Sequence, residues 1–373
     1  MNNYLKQKKK MEIDRKKGKV LVAMSGGVDS TLAAVLLNEA GYKVYGATMK
    51  LFTCKTVNLK GHSDLTVNEK NIETAQKVAQ KLKIPWSLWD FSIEFKEEVI
   101  KYFSDEYLSG RTPNPCVKCN HEIKFKLFLR KALSCGMDYI ATGHYAINEF
   151  DEHSKQYILK KAKDQKKDQS YFLYTLGQSV LPHVLFPLGG LKKERVRELA
   201  DQYGLENYDK PESQEICFIP DNDYRRFLES NFSQNISPGH FRDKNGNIFD
   251  KHKGVAYFTI GQRRKLGISL NKRQYVVKID ALKNDVILGD DCDLYQDKFV
   301  LNDLHIVSDE NFSLPTTANI KIRYNCKETR ATLYKCEKGK ISVKLDNPLR
   351  AVTPGQSAVF YRDDYLLGGG IIE

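Results

Sequence analysis

Lys19-Val20-Leu21-Val22-Ala23-Met24-Ser25-Gly26-Gly27-Val28-Asp29-Ser30 decides the fold, because an apolar run passes through a glycine pair into the helix-forming stretch 31–40 and stops at Gly41. The first run reads as a buried strand and the stretch after the glycines as a helix. Two residues without Cβ let backbone N–H groups close around an anion, while the helix N-terminus adds unsatisfied donors and a partial positive charge. Residues 25–30 therefore read as a phosphate cradle for a nucleotide. A plain βα turn capped by Asp29 or Ser30 is the simpler alternative. All six residues in this order favour the cradle.

The loop has neither the Gly-x-x-x-x-Gly-Lys-Ser/Thr spacing nor the dinucleotide Gly-x-Gly-x-x-Gly. Ser-Gly-Gly-x-Asp-Ser resembles the PP-loop of the ATP pyrophosphatase group, whose members cleave ATP between the α- and β-phosphates and adenylate a carbonyl oxygen. Outward from the loop, the apolar strands 43–49, 84–91 and 138–144 alternate with helical stretches at 71–82 and 122–134. This order predicts an α/β domain with a parallel sheet and ligands at the carboxyl ends of its strands, where Ser25, Met49 and Gly143 fall. A further amphipathic helix is expected at 192–203. Beyond residue 238 the chain breaks into short strands of period two at 275–279, 318–324, 331–334, 341–345 and 357–361, punctuated by Gly, Asn and Asp. They predict a small β-rich central domain and a C-terminal β-barrel or sandwich.

The 373 residues exceed one ordinary domain, and 41% hydrophobic with 28% charged residues describe a soluble chain with ample core. No run approaches the apolar length of a membrane span, which leaves a cytoplasmic protein as the expectation. The net charge of +12 favours a polyanionic partner. Part of it is local, since residues 1–17 hold seven Lys/Arg against two acids and read as a solvated basic tail. The expected division is that tail, a nucleotide-binding catalytic domain at 18–222, a central domain at 223–294 and a barrel at 295–373.

Eight dispersed cysteines without a secretion signal argue against a disulfide framework. Two of them lie in chemically suggestive surroundings. Arg111-Thr112-Pro113-Asn114-Pro115-Cys116-Val117-Lys118-Cys119-Asn120 is a proline-stiffened loop before the expected helix at 122–134. Cys119 near that helix N-terminus, with Lys118 and Lys124 close by, is expected to have a lowered pKa and a raised thiolate fraction. Cys217 lies beside a polar turn in Glu212-Ser213-Gln214-Glu215-Ile216-Cys217-Phe218-Ile219. Cys54, Cys135, Cys292, Cys326 and Cys336 have no matching partner and are not expected to be catalytic, and His62 in Gly61-His62-Ser63-Asp64 reads as a solvated loop residue.

With these segments the resemblance extends over nearly the whole chain. The PP-loop, residues 110–115 with Cys119-Asn120, Ala141-Thr142-Gly143-His144-Tyr145, Lys167-Asp168-Gln169-Ser170-Tyr171, residues 213–218 and Thr259-Ile260-Gly261-Gln262-Arg263-Arg264 stand in the order found in tRNA-specific 2-thiouridylases. The resemblance implies thiolation of the wobble uridine, position 34, of tRNA, with ATP as co-substrate and Mg²⁺. It implies an ATP site at Ala23, Met24, Ser25, Gly26, Gly27, Val28, Asp29, Ser30, Met49 and Gly143. It places the nucleophilic cysteine at Cys119 and the persulfide carrier at Cys217. Asn114, Pro115 and Cys116 would meet the target base, while Lys167, Asp168, Gln169, Arg323 and Tyr324 would contact tRNA, as would the central domain. The implied partners are tRNA and a sulfur-donor protein, either a cysteine desulfurase or a sulfur relay carrier, and the chain is expected to act as a monomer.

The chemistry explains why an adenylating loop and two thiols share a chain. Uracil O2 is a poor leaving group, so ATP converts it to an adenylate, and AMP departs in its place. A Cys217 persulfide supplies the sulfur, directly or after Cys119 releases sulfide by forming a transient disulfide with Cys217. Cys116 stands where many members have aspartate. Its thiol with Cys119 and Cys217 leaves open a second route, a four-iron, four-sulfur cluster whose free iron carries sulfide. Lys251, Lys253, Arg263, Arg264 and Lys265, interleaved with Tyr257 and Phe258, have the composition of an RNA-contacting face. A PP-loop ligase acting on a small molecule and a non-catalytic RNA-binding protein are the rival readings.

Overall fold

The strand β1 (Lys19–Ala23) leads through the glycine loop into α1 (Val28–Glu39), followed by β2 (Lys43–Lys50), α2 (Val67–Lys81) and β3 (Trp86–Asp90). Two long helical stretches come next, α3 at 92–108 and α4 at 115–134, each with π-type turns in its course. Then come β4 (Tyr139–Ala141), the hairpin β5 (Ala146–Asp151) and β6 (Gln156–Lys161), β7 (Val184–Leu185) and α5 (Lys193–Gln202). Strands β3-β2-β1-β4-β7 form one parallel sheet in that order. Because β1 is flanked by β2 on one side and β4 on the other, the winding reverses beside it. The crevice at that reversal, where such sheets bind ligands, lies between the loop after β1 and the turn at Gly143 after β4.

The chain continues with α6 (Tyr224–Phe232), β8 (Gly239–Arg242), β9 (Ile248–His252), β10 (Tyr275–Asp280) and β11 (Asp285–Gly289), the strands forming a sheet in the order β10-β11-β8-β9. The last strands are β12 (Tyr295–Ile306), β13 (Thr316–Lys321), β14 (Thr329–Lys335), β15 (Ile341–Arg350), β16 (Ser357–Arg362) and β17 (Tyr365–Ile372). β12 is long enough to pair with both β15 and β17, and this second pairing closes the six strands into an antiparallel barrel rather than a sandwich. The hairpin β5–β6 extends the barrel's sheet, since β6 pairs with β17. This computed structural model describes residues 18–52, 67–205, 216–268, 273–308 and 312–373. The basic tail, Cys54, His62 and the Ser213-Gln214-Glu215 part of the second cysteine segment lie outside the described residues. Among those described, no helix is long and apolar enough to cross a membrane.

One apolar cluster runs through all three layers of the molecule. It joins Leu21 and Ala47 of the parallel sheet, Phe95, Phe103 and Phe128 of the helices, Phe227 and Ala256 of the central segment, and Val359 and Tyr361 of the barrel. Phe227 is almost fully buried, its ring 5.9 Å from Phe103 and 5.5 Å from Phe218. Beside it Tyr107 and Tyr224 stack at 4.4 Å. These contacts fix the central segment on α3 by side-chain packing rather than by sheet pairing. Phe227→Ala is expected to cost about 3–5 kcal/mol, the usual loss for a buried ring. Because its ring bridges two parts of the chain, calorimetry should show one unfolding transition shifted down as a whole; an unchanged main transition with a small part melting early would contradict the shared core.

Candidate active site

The loop after β1 is held in shape by its own side chains. Ser25 N donates to Ser30 Oγ at 3.1 Å, and Ser30 Oγ and Thr31 Oγ1 donate to the Gly27 carbonyl at 3.0 and 3.1 Å. Gly26 has φ +75°, and a Cβ there would lie 2.4 Å from the Asn71 carbonyl of α2, so no other residue fits. Gly143 is required by proximity, since its Cβ would stand 2.8 Å from Ser30 N and 2.9 Å from the Asp29 carbonyl carbon. Ser25 and Gly27 are exposed at the mouth of the crevice. Ala23 and Met24 are buried in the stem, where Met24 bonds through both backbone groups to Ala47 and Thr48. Met49 is half-buried at the end of β2.

Asp29 is held from two sides. Tyr145 Oη donates to Oδ1 at 2.8 Å, and Lys193 Nζ donates to Oδ1 and Oδ2 at 2.7 and 2.8 Å, with the lysine side chain 7% exposed. Sequence reasoning missed Lys193. A signal was present, because Lys192 and Lys193 begin α5, where the helix dipole disfavours cations, and such placement calls for a nearby anion.

The thiols lie on the other flank of the sheet. Asn114 caps α4, its side chain accepting from Val117 N at 3.4 Å, and Pro115 occupies the first helical position, so α4 begins seven residues earlier than the expected 122. Cys119 thus sits inside the second turn rather than ahead of the helix N-terminus. Cys116 lies one turn before it and is exposed, while Cys119 is buried. Cys217 also opens to solvent, in a turn closed by the Ile219 N–H to the Ile216 carbonyl. The next residue, Phe218, anchors that turn, its buried ring 5.7 Å from Phe95 and 5.3 Å from Phe103.

This environment reverses the expected thiol chemistry. Burial pushes Cys119 up to about 11 and raises Cys116 and Cys217 as well, Cys217 further because Cys119 and Cys116 lie within electrostatic reach. The thiols are protonated at neutral pH. Lys118 does not offset this, because its ammonium pairs with Glu122 at 3.1 Å and Glu98 at 3.6 Å. Lys124 does, lowering all three thiol pKa values. His144 bonds to Thr142 Oγ1 at 2.7 Å and stands between Phe125 and Phe186. Burial, with Lys124 adding to it, keeps its pKa well below the ordinary histidine value, so the ring is neutral. Among the described residues no group of three or more His, Cys, Asp or Glu is arranged to hold a metal ion.

The loop before α4 is clamped by both later parts of the chain. Thr112 N donates to the Pro354 carbonyl at 2.9 Å, and Gln356 Nε2 donates to the Thr112 and Pro113 carbonyls at 3.0 Å each. Thr112 Oγ1 bonds to Thr259 Oγ1 of the central segment at 3.3 Å, and Arg111 Nη2 donates to the Ile372 carbonyl at 3.2 Å. A cavity of about 190 Å³ opens between α4 and the barrel, lined by Asn114, Lys118, His121 and His305 among others.

Several residues expected at the RNA are committed within the fold. Asp168 is buried, accepting from Ala162 N at 2.9 Å and Ser170 Oγ at 2.8 Å, and Gln169 Oε1 accepts from Tyr145 N at 3.0 Å. Arg323 donates to Thr353 Oγ1 at 2.8 Å and to the Ala351 carbonyl, and Tyr324 packs on Phe172 with ring centroids 4.6 Å apart. Lys167 is half-buried. Tyr257 and Phe258 are core residues rather than stacking platforms, whereas Lys251, Lys253, Arg263, Arg264 and Lys265 are exposed.

Known proteins resemble the chain in all three parts. Family profiles described as the tRNA methyl transferase HUP domain, the tRNA methyl transferase PRC-barrel domain and the aminomethyltransferase beta-barrel domain match residues 18–221, 225–290 and 296–372. The tRNA-specific 2-thiouridylase MnmA of Acetivibrio thermocellus is 49% identical over 357 residues, covering 96% of this chain and 99% of that protein. MnmA 2 of Caldanaerobacter subterraneus is 48% identical over 364 residues, with the same coverage of 96% and 99%.

Lys124 is the counterweight to thiol burial, so its removal should raise the thiol pKa values further. In Lys124→Met, iodoacetamide labelling of Cys119, followed by peptide mass spectrometry, should be slower than in the parent at one mildly alkaline pH. The parent's labelling should climb with pH toward a midpoint near 11. Equal rates in the two proteins would show that Lys124 does not act on the thiol.

Proposed function

The chain belongs to the tRNA-specific 2-thiouridylase family, and from that premise we propose how its residues replace O2 of wobble uridine 34 by sulfur. The observation that carries the reading is that Cys119 and Cys217 are both free and that Cys119 lies within electrostatic reach of Cys217, on a domain whose loop is built for ATP. The methyl-transfer wording of the family profiles does not account for these thiols, whereas thiolation uses both.

ATP enters as its Mg²⁺ complex, with its phosphates at residues 25–30 and the base beside Met49. Gly143 lets the turn after β4 close against them. Asn114, Pro115 and Cys116 meet the target base at the start of α4. Uracil O2 attacks the α-phosphate, pyrophosphate leaves, and the C2 adenylate forms. The terminal sulfur of a Cys217 persulfide bonds to C2 and AMP departs. Cys119 then attacks Cys217 Sγ, which breaks the S–S bond, frees 2-thiouridine and leaves a Cys119–Cys217 disulfide for an external dithiol to reduce. In the alternative order Cys119 attacks first and free sulfide reaches C2; the products are the same. No step passes through an iron-sulfur cluster.

A sulfur-donor protein, a cysteine desulfurase or relay carrier, must load Cys217 in this scheme. The exposed basic residues between Lys251 and Lys265 are the proposed contact with the tRNA backbone. The proposed division places the ATP site and thiols in 18–222, RNA contact in 223–294 and the barrel in 295–373, acting as a cytoplasmic monomer. The test is thiolation of purified tRNA with ATP and a persulfide donor, read by nucleoside mass spectrometry. Cys119→Ser and Cys217→Ser should each abolish 2-thiouridine, while Cys116→Ala should retain it. Full activity in either serine variant would end the two-thiol scheme. Loss of activity in Cys116→Ala together with loss of bound iron would restore the cluster route. Pyrophosphate release without thiolation of any tRNA would favour a ligase acting on a small molecule.

A further inference from the structure

We infer that Lys193 is a positioning residue for the phosphate loop, neutralising Asp29 so that the loop accepts a polyphosphate. The inference rests on the reading of residues 25–30 as the ATP site. Asp29 is in the first turn of α1, beside the glycines that face the crevice. An uncompensated carboxylate there would repel the anion that the loop and helix N-terminus attract.

Lys193 answers that charge directly, with Nζ donating to both carboxylate oxygens at 2.7 and 2.8 Å. Tyr145 fixes the carboxylate from a second direction at 2.8 Å, and the lysine ammonium stands 5.6 Å from the Tyr145 ring centroid. The lysine is itself anchored, because its backbone N–H donates to Asp164 Oδ2 at 2.9 Å. Its location is not explained by α5, whose N-terminus opposes a cation. Nor is the ion pair needed to dock α5 on α1. Val28, Leu32 and Val35 of α1 already share an apolar cluster with Val196, Leu199 and Ala200 of α5. Buried pairs contribute little net stability compared with apolar replacements. The pair therefore makes most sense through what it does to the loop: it removes a negative charge and pins the carboxylate away from the crevice.

The test is a double-substitution cycle read by equilibrium ATP binding, with tRNA binding and thermal melting measured on the same proteins. Lys193→Met should raise the Kd for ATP by roughly tenfold or more, the size expected of one unbalanced charge near a polyphosphate in a partly buried site. The tRNA Kd should stay within about twofold, and Lys193→Arg should recover most of the ATP affinity. In an Asp29→Asn background, Lys193→Met should change the ATP Kd by no more than about twofold, because the charge to be neutralised is gone. An undiminished effect there would mean that Lys193 binds ATP itself, and wild-type ATP affinity in Lys193→Met would mean that the pair only docks a helix; either result overturns the inference. If Lys193→Met does not fold, Lys193→Gln carries the test: it should weaken ATP binding by roughly tenfold with the tRNA Kd within about twofold, and parent-like ATP affinity overturns the inference. A parent protein that binds no ATP would instead overturn the reading of the loop.

Discussion

A thiol held in an apolar core is kept from water and at the same time hindered from becoming an anion, and the site around Cys119 is built on that conflict. Burial keeps water from Cys119, whereas Cys116 and Cys217 open to solvent. The same burial penalises the thiolate, so Cys119 is raised to about 11 and rests as a protonated thiol. A protonated thiol is a poor nucleophile and equally a poor target for oxidants. Lys124 is the fixed charge that opposes this, and the neutral His144 beside it adds no second cation to the chamber.

Such a site is only as good as the frame that holds it, since its parts come from distant stretches of chain. α4 carries Cys116 and Cys119, and the loop before it is bonded to the barrel at Pro354 and Gln356 and to the central segment at Thr259. The Cys217 turn is held by Phe218 in an aromatic cluster shared by α3 and α6. The barrel and central segment thus fix the thiols against the parallel sheet. Arg323 shows the same division of labour: its guanidinium ties barrel backbone together, and the exposed charge lies instead along residues 251–265.

How much of this could be read in the sequence depended on the range of the physics involved. The strand, glycine loop and helix at 19–39, the parallel-sheet order and the period-two barrel strands are local patterns, and they appear where the pattern placed them. The start of α4 was also local. Asn114-Pro115 is a cap followed by a first-turn proline, a start signal that the second proline at Pro113 makes resemble a stiff loop. Helix α3 was legible too, since Phe95, Val99, Phe103 and Tyr107 recur every four residues on its buried face, whereas the β5–β6 hairpin carries mixed polar and apolar residues without a clear period. The thiol pKa values could not be read, because desolvation is set by the folded core: Cys119 shares an apolar cluster with Phe218 and Ile219, about a hundred residues away in sequence. Tyr257 and Phe258 failed for a related reason: alternation with basic residues does not say which face of the chain meets the core.

The way Lys124 comes to act on Cys119 shows why the fine geometry of α4 matters. Residues five apart on an α-helix of 3.6 residues per turn are separated by roughly 140° and face different surroundings. From Asn120 to Phe128, however, α4 is wound with π-type bonds, and Cys119 is the residue from which that stretch begins. Bonds from i to i+5 bring residues five apart to within roughly 50° of each other around the axis. The wider turns thus bring Lys124 toward the side of the helix that carries Cys119, while Lys118, next to Cys119 in sequence, is turned toward Glu98 and Glu122. A regular α-helix through the same residues would aim the Lys124 charge away from Cys119 and leave the buried thiol without its counterweight.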